Sequence, residues 1–197
     1  SFFFFLKSIY EYQQSFEEKV EQRTKELNIK NEELFKLSIT DKLTGLYNRV
    51  KLDSVLQENM SLSLRYGNIF SVIIIDIDFF KKINDNFGHQ VGDDVLKECS
   101  YILSQNIRNV DILGRWGGEE FLVVCPETLK DGAKDLAIKL NKAIKLHKFS
   151  TYPHSVTISV GVASCSVNDL NYDDIISNAD KALYEDKNNG RDKVEIF

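Results

Sequence analysis

Short apolar runs separated by turn residues begin after Leu37 and predict a folded domain of strands and helices. The run at 69–75 is nearly continuous in β-branched and aromatic residues, as expected of a central strand covered on both faces. Residues 121–125 form a second such run, and residues 156–163 alternate between larger and smaller side chains. Further strands are predicted at 112–116 and 193–197, and helices at about 49–66, 93–107, 129–147 and 172–187.

The short connection between the strands at 112–116 and 121–125 restricts the topology of the sheet. A four-residue turn can join only antiparallel neighbours, so this pair is a hairpin and the sheet cannot be wholly parallel. The predicted fold class is therefore α/β, an α+β sandwich in which helices flank a mixed sheet.

Residues 1–38 contain no Gly or Pro and are rich in Glu, Lys and Gln, which predicts one long helix. In this helix, apolar side chains recur at close to alternating steps of three and four, at Ile9, Phe16, Val20, Leu27, Leu34 and Leu37. Arg23 and Lys30 take in-phase positions, so the heptad seam is imperfect. Two interpretations stay open, an intermolecular coiled coil that forms a stalk or a single amphipathic helix packed on its own domain. The predicted domains are 1–38 and 39–197.

The opening run Phe2–Leu6 is far shorter than the ~20 apolar residues that a membrane span needs. Because the basic Lys7 follows at once, the run could still be the cytoplasmic end of a span that anchors the full-length protein in the inner membrane. A signal peptide is not expected, because no basic segment precedes the run and no small-residue cleavage site follows it.

A chain of 197 residues has room for one ordinary domain and an appendage. Its net charge of −5 argues against a surface that binds nucleic acid, so we expect any bound nucleotide to be small and metal-chelated. Cys99, Cys125 and Cys165 lie far apart in apolar stretches, which favours reduced core thiols and a cytoplasmic compartment.

Acidic residues stand at the end of the central strand and in the hairpin turn. A buried carboxylate must be paired or bound to a cation, and we expect this of Asp76, whereas Asp78 is expected to cap the next helix. Glu119 and Glu120 put two like charges on a narrow tip, which is unfavourable unless a cation uses them. Oxygen ligands from adjacent strands suit Mg²⁺, whose shell substrate phosphates usually complete. The sequence therefore predicts a Mg²⁺ site, with Mn²⁺ as an alternative.

Four ordered blocks of the sequence resemble a single family. They are Asp41–Arg49, Ile75–His89, Gly-Gly-Glu-Glu-Phe at 117–121 and Asn178–Lys187. The third block is similar to the signature of the GGDEF family in its Glu variant, and the resemblance spans about residues 39–197. It implies a diguanylate cyclase, which condenses two GTP molecules into cyclic di-GMP, on a fold similar to nucleotide-cyclase and polymerase palm domains.

The resemblance also implies roles for individual residues. Asp76 and Glu119 would hold the metal together with the carbonyl of Ile77, and Glu119 would accept the proton of the attacking 3′-hydroxyl. Lys81 would contact phosphates and stabilise the charge of the transition state. Glu120 belongs to the signature and is counted with the catalytic residues, but its chemistry does not indicate a specific role. The implied substrate-binding residues are Asn84 and Asp93 for guanine, His89 as a further contact, and Lys187 and Arg191 for phosphates.

Local alternatives compete with some of these roles. Lys81 could be a solvated lysine at a helix end, and Asp93 could be the N-cap of the helix at 93–107. Arg108 and Asp111 stand where many family members bind product as an inhibitor, and their alternative is an exposed ion pair.

Stoichiometry implies a homodimer, because a site of this family binds one GTP whereas the product contains two guanylyl units. The N-terminal helix would hold the two copies together. The leading alternative is a non-catalytic module that binds GTP or cyclic di-GMP, and retention of Asp76, Glu119 and Glu120 argues against it. A different enzyme on a palm scaffold is disfavoured, because the chain has no basic stripe for a template.

Overall fold

Strand β1 (Phe70–Ile77) is the centre of a five-stranded sheet, and all eight of its residues are buried. The computed structural model describes residues 2–166 and 169–197. The other strands are β2 (Ile112–Gly117), β3 (Glu120–Pro126), β4 (Ile158–Ser164) and β5 (Val194–Ile196). Their order in the sheet is β2-β3-β1-β4-β5.

The sheet is mixed, as predicted. β1 pairs antiparallel with β3 and β4, β2 pairs antiparallel with β3, and β5 runs parallel to β4. The hairpin of β2 and β3 is confirmed, but the predicted four-residue turn is wrong, because Gly117 pairs with Glu120 and leaves two residues, Gly118 and Glu119, at the tip. A shift of register between Arg115 and Gly117 lets the strands pair this far.

The described helices are α1 (Phe2–Ile39), α2 (Arg49–Tyr66), α3 (Phe80–Phe87), α4 (His89–Asn106), α5 (Lys130–Leu146) and α6 (Tyr172–Asn188). The helix predicted from residue 93 thus begins at His89. Gly88, with φ +86°, separates it from α3, in a conformation that glycine adopts without steric cost. The N-cap of α3 is Phe79 without a side-chain hydrogen bond, so the prediction that Asp78 caps this helix is wrong.

The alternation of side chains along β1 supplies two cores, one on each face of the sheet. Ile73 and Ile75 pack with residues of α4 and α5, whereas Val72 and Ile74 pack with residues of α2 and α6. The sandwich predicted from the sequence is confirmed. The rigid sheet between two helical layers fixes the strand ends at which the polar site lies.

The chain divides into two compact units, Ser1–Ser38 and Ile39–Phe197. In the first unit, the described seam side chains are 48–63% exposed, namely Phe16, Val20, Leu27, Leu34 and Leu37. The side chains of Ile9 and of the Phe2–Leu6 run other than Phe4 lie outside the described residues. Within the described part of the chain, no helix combines the length and the apolar character that a membrane crossing needs.

Two of the three cysteines lie in the core, as predicted. Cys99 and Cys125 are buried, and burial raises the pKa of the Cys125 thiol to about 12. Cys165 is only half-buried but packs against the core on the α2 and α6 side, and its Sγ lies 3.2 Å from Oγ of Ser63. All three are free cysteines.

Candidate nucleotide and metal site

The polar site begins at the end of β1. Asp76 is 7% exposed and lies opposite Glu120 in the register of β1 and β3. Glu119 is close to the same point, because the amide of Ile77 donates to the carbonyl oxygen of Glu119 at 3.4 Å. The pairing of two neighbouring strands therefore brings together three acidic residues that are predicted to act in metal binding or catalysis.

The electrostatics of these acids favour a cation. Burial raises the pKa of Asp76, the charge of Glu119 raises it further, and Lys187 opposes the shift. Burial also raises the pKa of Glu120, with a further contribution from Asp76. The Nζ of Lys187 lies 2.8 Å from Oδ2 of Asp76. One ammonium thus partly compensates a cluster that holds more negative than positive charge.

The donor set at the strand end fits Mg²⁺ or Mn²⁺, because carboxylates of Asp76 and Glu119 and the carbonyl of Ile77 are hard oxygen ligands. Among the described residues, no group of three or more His, Cys, Asp and Glu side chains is placed to hold a metal ion. Magnesium sites commonly use one or two carboxylates, with phosphates and water as the remaining ligands. The donors therefore fit an ion that binds together with a nucleotide.

An open pocket of about 510 Å³ lies beside the hairpin tip. It brings together five residues predicted to bind substrate or act in catalysis, namely Lys81 and Asn84 from α3, His89 and Asp93 from α4, and Glu119 from the tip. Asp76, Glu120, Lys187 and Arg191 do not line this pocket. The predicted site thus consists of a pocket and a charged strand end, which share Glu119.

The two residues predicted to read guanine come from adjacent helices. Gly92 leaves the space in which the Asn84 side chain lies, because a Cβ at residue 92 would stand 1.9 Å from Oδ1 of Asn84. Asp93 lies in the second turn of α4, since this helix begins at His89. The N-cap interpretation of Asp93 is therefore wrong, and its half-buried side chain lines the pocket.

Comparison with known sequences shows the family of the chain. The profile of the family described as "Diguanylate cyclase, GGDEF domain" matches residues 38–193. The chain belongs to the GGDEF family.

Individual relatives support the assignment. The chain is 38% identical over 163 residues to Response regulator PleD of Caulobacter vibrioides, covering 80% of this chain and 36% of that protein. It is 37% identical over 173 residues to Diguanylate cyclase A of Treponema denticola, covering 85% of this chain and 47% of that protein. The chain therefore spans less than half the length of these curated relatives.

A solved structure resembles the chain over most of its length. It is the crystal structure of the coiled coil and GGDEF domain of DgcB from Caulobacter crescentus in complex with c-di-GMP, with a TM-score of 0.83 at 26% sequence identity. The similarity covers 89% of this chain and 94% of that one.

In this GGDEF domain, a hydrogen bond and an ion pair connect the loop after α6 to Asp78 at the end of β1. Asp78 accepts hydrogen bonds from the hydroxyls of Thr157 and Ser159 at 2.7 Å and from the amide of Asp192 at 3.2 Å. The Nε of Arg191 lies 3.9 Å from Oδ1 of Asp78. Asp78 therefore holds the basic loop at the strand end instead of capping a helix.

Arg108 and Asp111 do not line the pocket of the GGDEF domain. Arg108 contacts Asp111 through Nη2 at 2.6 Å, Nε at 3.1 Å and its backbone amide at 2.9 Å, and Nη2 also donates to Oγ1 of Thr128 at 2.6 Å. The side chain of Arg108 is 54% exposed, whereas that of Asp111 is fully buried. The alternative interpretation was an exposed ion pair. The ion pair is present, but only its arginine is exposed.

Sequence reasoning did not single out Arg115, which holds the tip of the hairpin. Its Nε and Nη2 donate to the carbonyl oxygen of Gly118 at 2.9 and 2.7 Å, and its Nη1 lies 3.3 Å from both carboxylate oxygens of Asp41. Gly92 was missed too. Both residues have a signal in the sequence that could have identified them. Arg115 stands two residues before the Gly-Gly pair, and Gly92 lies inside a helical pattern.

Proposed function

We propose that this chain is a diguanylate cyclase, which condenses two GTP molecules into cyclic di-GMP. The observation that carries this proposal is the position of Asp76 and Glu119 beside a pocket that Asn84 and Asp93 also serve. Membership of the GGDEF family supports the proposal, and so does the named activity of the similar Treponema denticola protein.

The pocket residues suit guanine. Guanine presents N–H donors that a carboxylate accepts and acceptors that an amide can satisfy, so Asp93 and Asn84 complement its edge. Adenine presents a different pattern, and we therefore propose GTP rather than ATP. His89 is a further substrate contact, and the exposed ammonium of Lys81 lies in the same pocket, where it can meet phosphates.

The charged residues at the strand end suit the triphosphate. Arg191 and Lys187 bring two cations to the end of β1, and these cations supply the phosphate contacts in the proposed complex. When held by Asp76, Glu119 and the carbonyl of Ile77, Mg²⁺ or Mn²⁺ would neutralise phosphate charge and activate the attacking oxygen.

In the proposed reaction, Glu119 accepts the proton of a ribose 3′-hydroxyl. The 3′-oxygen forms a bond to the α-phosphorus of the GTP held by a facing copy, and the bond from that phosphorus to pyrophosphate breaks. The same transfer in the opposite sense closes the ring, so each GTP loses one pyrophosphate. Lys81 stabilises the charge that develops on the phosphate oxygens, and Glu120 adds a negative charge opposite Asp76.

A single pocket of this size serves one nucleotide in the proposal, so two copies must face each other. The exposed seam of α1, from Phe16 to Leu37, supports a coiled-coil homodimer, because burial of such side chains between two helices is favourable. Residues 1–38 would then be a stalk, and upstream signals would act by changing its packing.

Arg108 is the proposed inhibitory contact for product. Its half-exposed guanidinium is a planar fork that matches phosphate oxygens, while buried Asp111 fixes its orientation. The free thiols of the chain and its use of GTP suit a cytoplasmic domain, whether or not an upstream segment anchors the full-length protein in a membrane.

The test is incubation of the chain with GTP and Mg²⁺, followed by chromatographic detection of cyclic di-GMP. We expect product from the wild type, none with ATP, and none from Glu119→Gln. Glu127→Gln, which removes the same charge outside the pocket and strand end, is the matched control and should retain activity. Nucleotide binding without product from the wild type would instead support the non-catalytic binding module.

A further inference from the structure

We propose that Lys187 is an internal counter-ion of Asp76, which it leaves for the substrate phosphates when a divalent cation binds. The inference rests on the proposed function, because it needs a metal at Asp76 and a triphosphate nearby. Lys187 then has a second role besides its phosphate contact. Its ammonium links the occupancy of the metal site to the occupancy of the phosphate site.

The charge distribution supports a counter-ion at this position. Lys187 lies 2.8 Å from Asp76 and also acts electrostatically on Glu120 and Asp180, each of which is partly removed from water. Glu119 and Asp78 act on Asp76 as well, so five acids lie around the strand end. Carboxylates so close together repel one another, and a cation among them lowers that cost.

The backbone at Lys187 is fixed, whereas its side chain is not. The neighbouring Asp186 is fully buried, and its carboxylate accepts the amide of Val160 at 3.0 Å. The carbonyl oxygen of Asp186 accepts the amides of Asn189 and Arg191, which closes the end of α6. The side chain of Lys187 is 31% exposed and carries its charge on a flexible stem. The ammonium can therefore change partners while the helix stays in place.

Competition for one carboxylate makes the two binding events interdependent. A divalent ion and the ammonium of Lys187 cannot both keep close contact with Oδ2 of Asp76, because like charges at that separation repel. The departure of Lys187 from Asp76 frees a cation for phosphate oxygens at the same strand end. Metal binding then strengthens nucleotide binding beyond direct chelation, and linkage requires the reverse as well.

The experiment measures Mn²⁺ binding to the nucleotide-free full chain by electron paramagnetic resonance. The variants are Lys187→Met, Lys187→Gln as a second uncharged form, and Lys181→Met as a control that removes the same charge from the exposed face of α6. We expect both Lys187 variants to bind Mn²⁺ about five- to tenfold more tightly than wild type. A change of this size exceeds the effect expected from the loss of a fully exposed ion pair. Lys181→Met should match wild type.

Two further measurements locate the effect. The added substitution Asp76→Asn should abolish the gain in Mn²⁺ affinity, because the gain requires the carboxylate that Lys187 vacates. With Mn²⁺ saturating, Lys187→Met should bind a GTP analogue bridged by methylene between the α- and β-phosphorus atoms more weakly than wild type. A lysine that only supports the fold would not change the two affinities in opposite directions.

The outcomes separate this inference from the proposed function. Unchanged or weaker Mn²⁺ binding by both Lys187 variants overturns the inference, even if the wild type makes cyclic di-GMP. Mn²⁺ binding that does not depend on Asp76 overturns both the inference and the proposed metal site. Tighter binding by the Lys187 variants, lost with Asp76→Asn, supports the inference whatever the cyclase assay shows.

Discussion

The guanidinium of Arg115 lies 3.3 Å from both carboxylate oxygens of Asp41. Asp41 is fixed in turn, since its Oδ1 accepts the amide and the hydroxyl of Thr44 at 2.9 and 2.8 Å. Through two hydrogen bonds to the carbonyl of Gly118, Arg115 connects this turn to the hairpin tip that carries Glu119. Asp41 thereby acts on the tip through another residue and touches no substrate in the proposed complex.

Asp41→Asn should slow cyclic di-GMP formation while the domain stays folded. Loss of the ion pair leaves Arg115 less constrained, and small displacements of a catalytic group are costly, so we expect kcat to fall about tenfold with little change in KM. Steady-state kinetics with GTP and Mg²⁺ measure this. Asp135→Asn on α5 is the matched control. Equal rates for Asp41→Asn and wild type would show that the tip does not depend on this pair.

Asp41 also predicts a dependence of stability on pH. Burial by itself would raise the pKa of Asp41, but the hydrogen bonds from Thr44 and the charge of Arg115 outweigh it and hold this pKa below its usual value. The stabilisation is therefore complete above the unfolded pKa of about 4 and disappears as pH falls through the lower folded value. In urea unfolding, the free-energy difference between wild type and Asp41→Asn should be constant above about pH 5 and shrink below about pH 4. A difference that grows with acidification contradicts this account.

Gly92→Ala should impair recognition of guanine. The added Cβ would displace Oδ1 of Asn84, which lies 1.9 Å from that position, so we expect KM for GTP to rise about tenfold while kcat changes less. Gly132→Ala in α5 is the control, because its Cβ meets only Cγ2 of Thr128, at 3.2 Å. Helix propensity favours alanine in both variants, so thermal denaturation should show no general loss of fold. A normal KM in Gly92→Ala would remove Asn84 from the proposed guanine site.

Much of the fold was predictable because it depends on local patterns. The continuous apolar run of β1 and the alternation in β4 identify a central sheet, and the short link between β2 and β3 requires a hairpin. Helix α3 is missing from the helix ranges predicted from the sequence, and α4 begins four residues before its predicted start. The boundary between these two helices depends on the positive φ of Gly88, which local sequence patterns do not show.

The site was predictable where the chemistry of a single residue determines its role. It was less predictable where contacts between segments that are distant in sequence determine the role of a residue. Asp78 precedes a helix and has a capping side chain, but its partners Thr157 and Ser159 lie at the start of the neighbouring strand β4, 79 and 81 residues later in the sequence. Arg115 depends in the same way on Asp41, which is 74 residues away in sequence. Neither pairing is visible without the folded chain. The roles assigned from the family resemblance stay predictions until substitutions test them.

Arg108→Ala should relieve product inhibition and also destabilise the domain. The substitution leaves the buried carboxylate of Asp111 with one remaining partner, the amide of residue 108, which should cost about 1–3 kcal/mol of unfolding free energy. Arg108→Ala with Asp111→Asn should regain part of that stability, since no buried charge remains, without regaining inhibition. Initial rates at increasing cyclic di-GMP and thermal denaturation measure the two effects. Inhibition that persists in both variants would contradict the role of Arg108.

The central claim is that two copies of the chain, each with one GTP, make one product. Its most direct test is the rate of cyclic di-GMP formation per copy as a function of protein concentration, for wild type, Leu27→Glu in the seam of α1 and Ile29→Glu outside that seam. Both side chains are exposed, at 60% and 50%. We predict a constant rate per copy for wild type and Ile29→Glu, and for Leu27→Glu a rate that falls on dilution. A rate per copy that is independent of concentration in all three proteins, or that falls equally in both variants, would contradict the account.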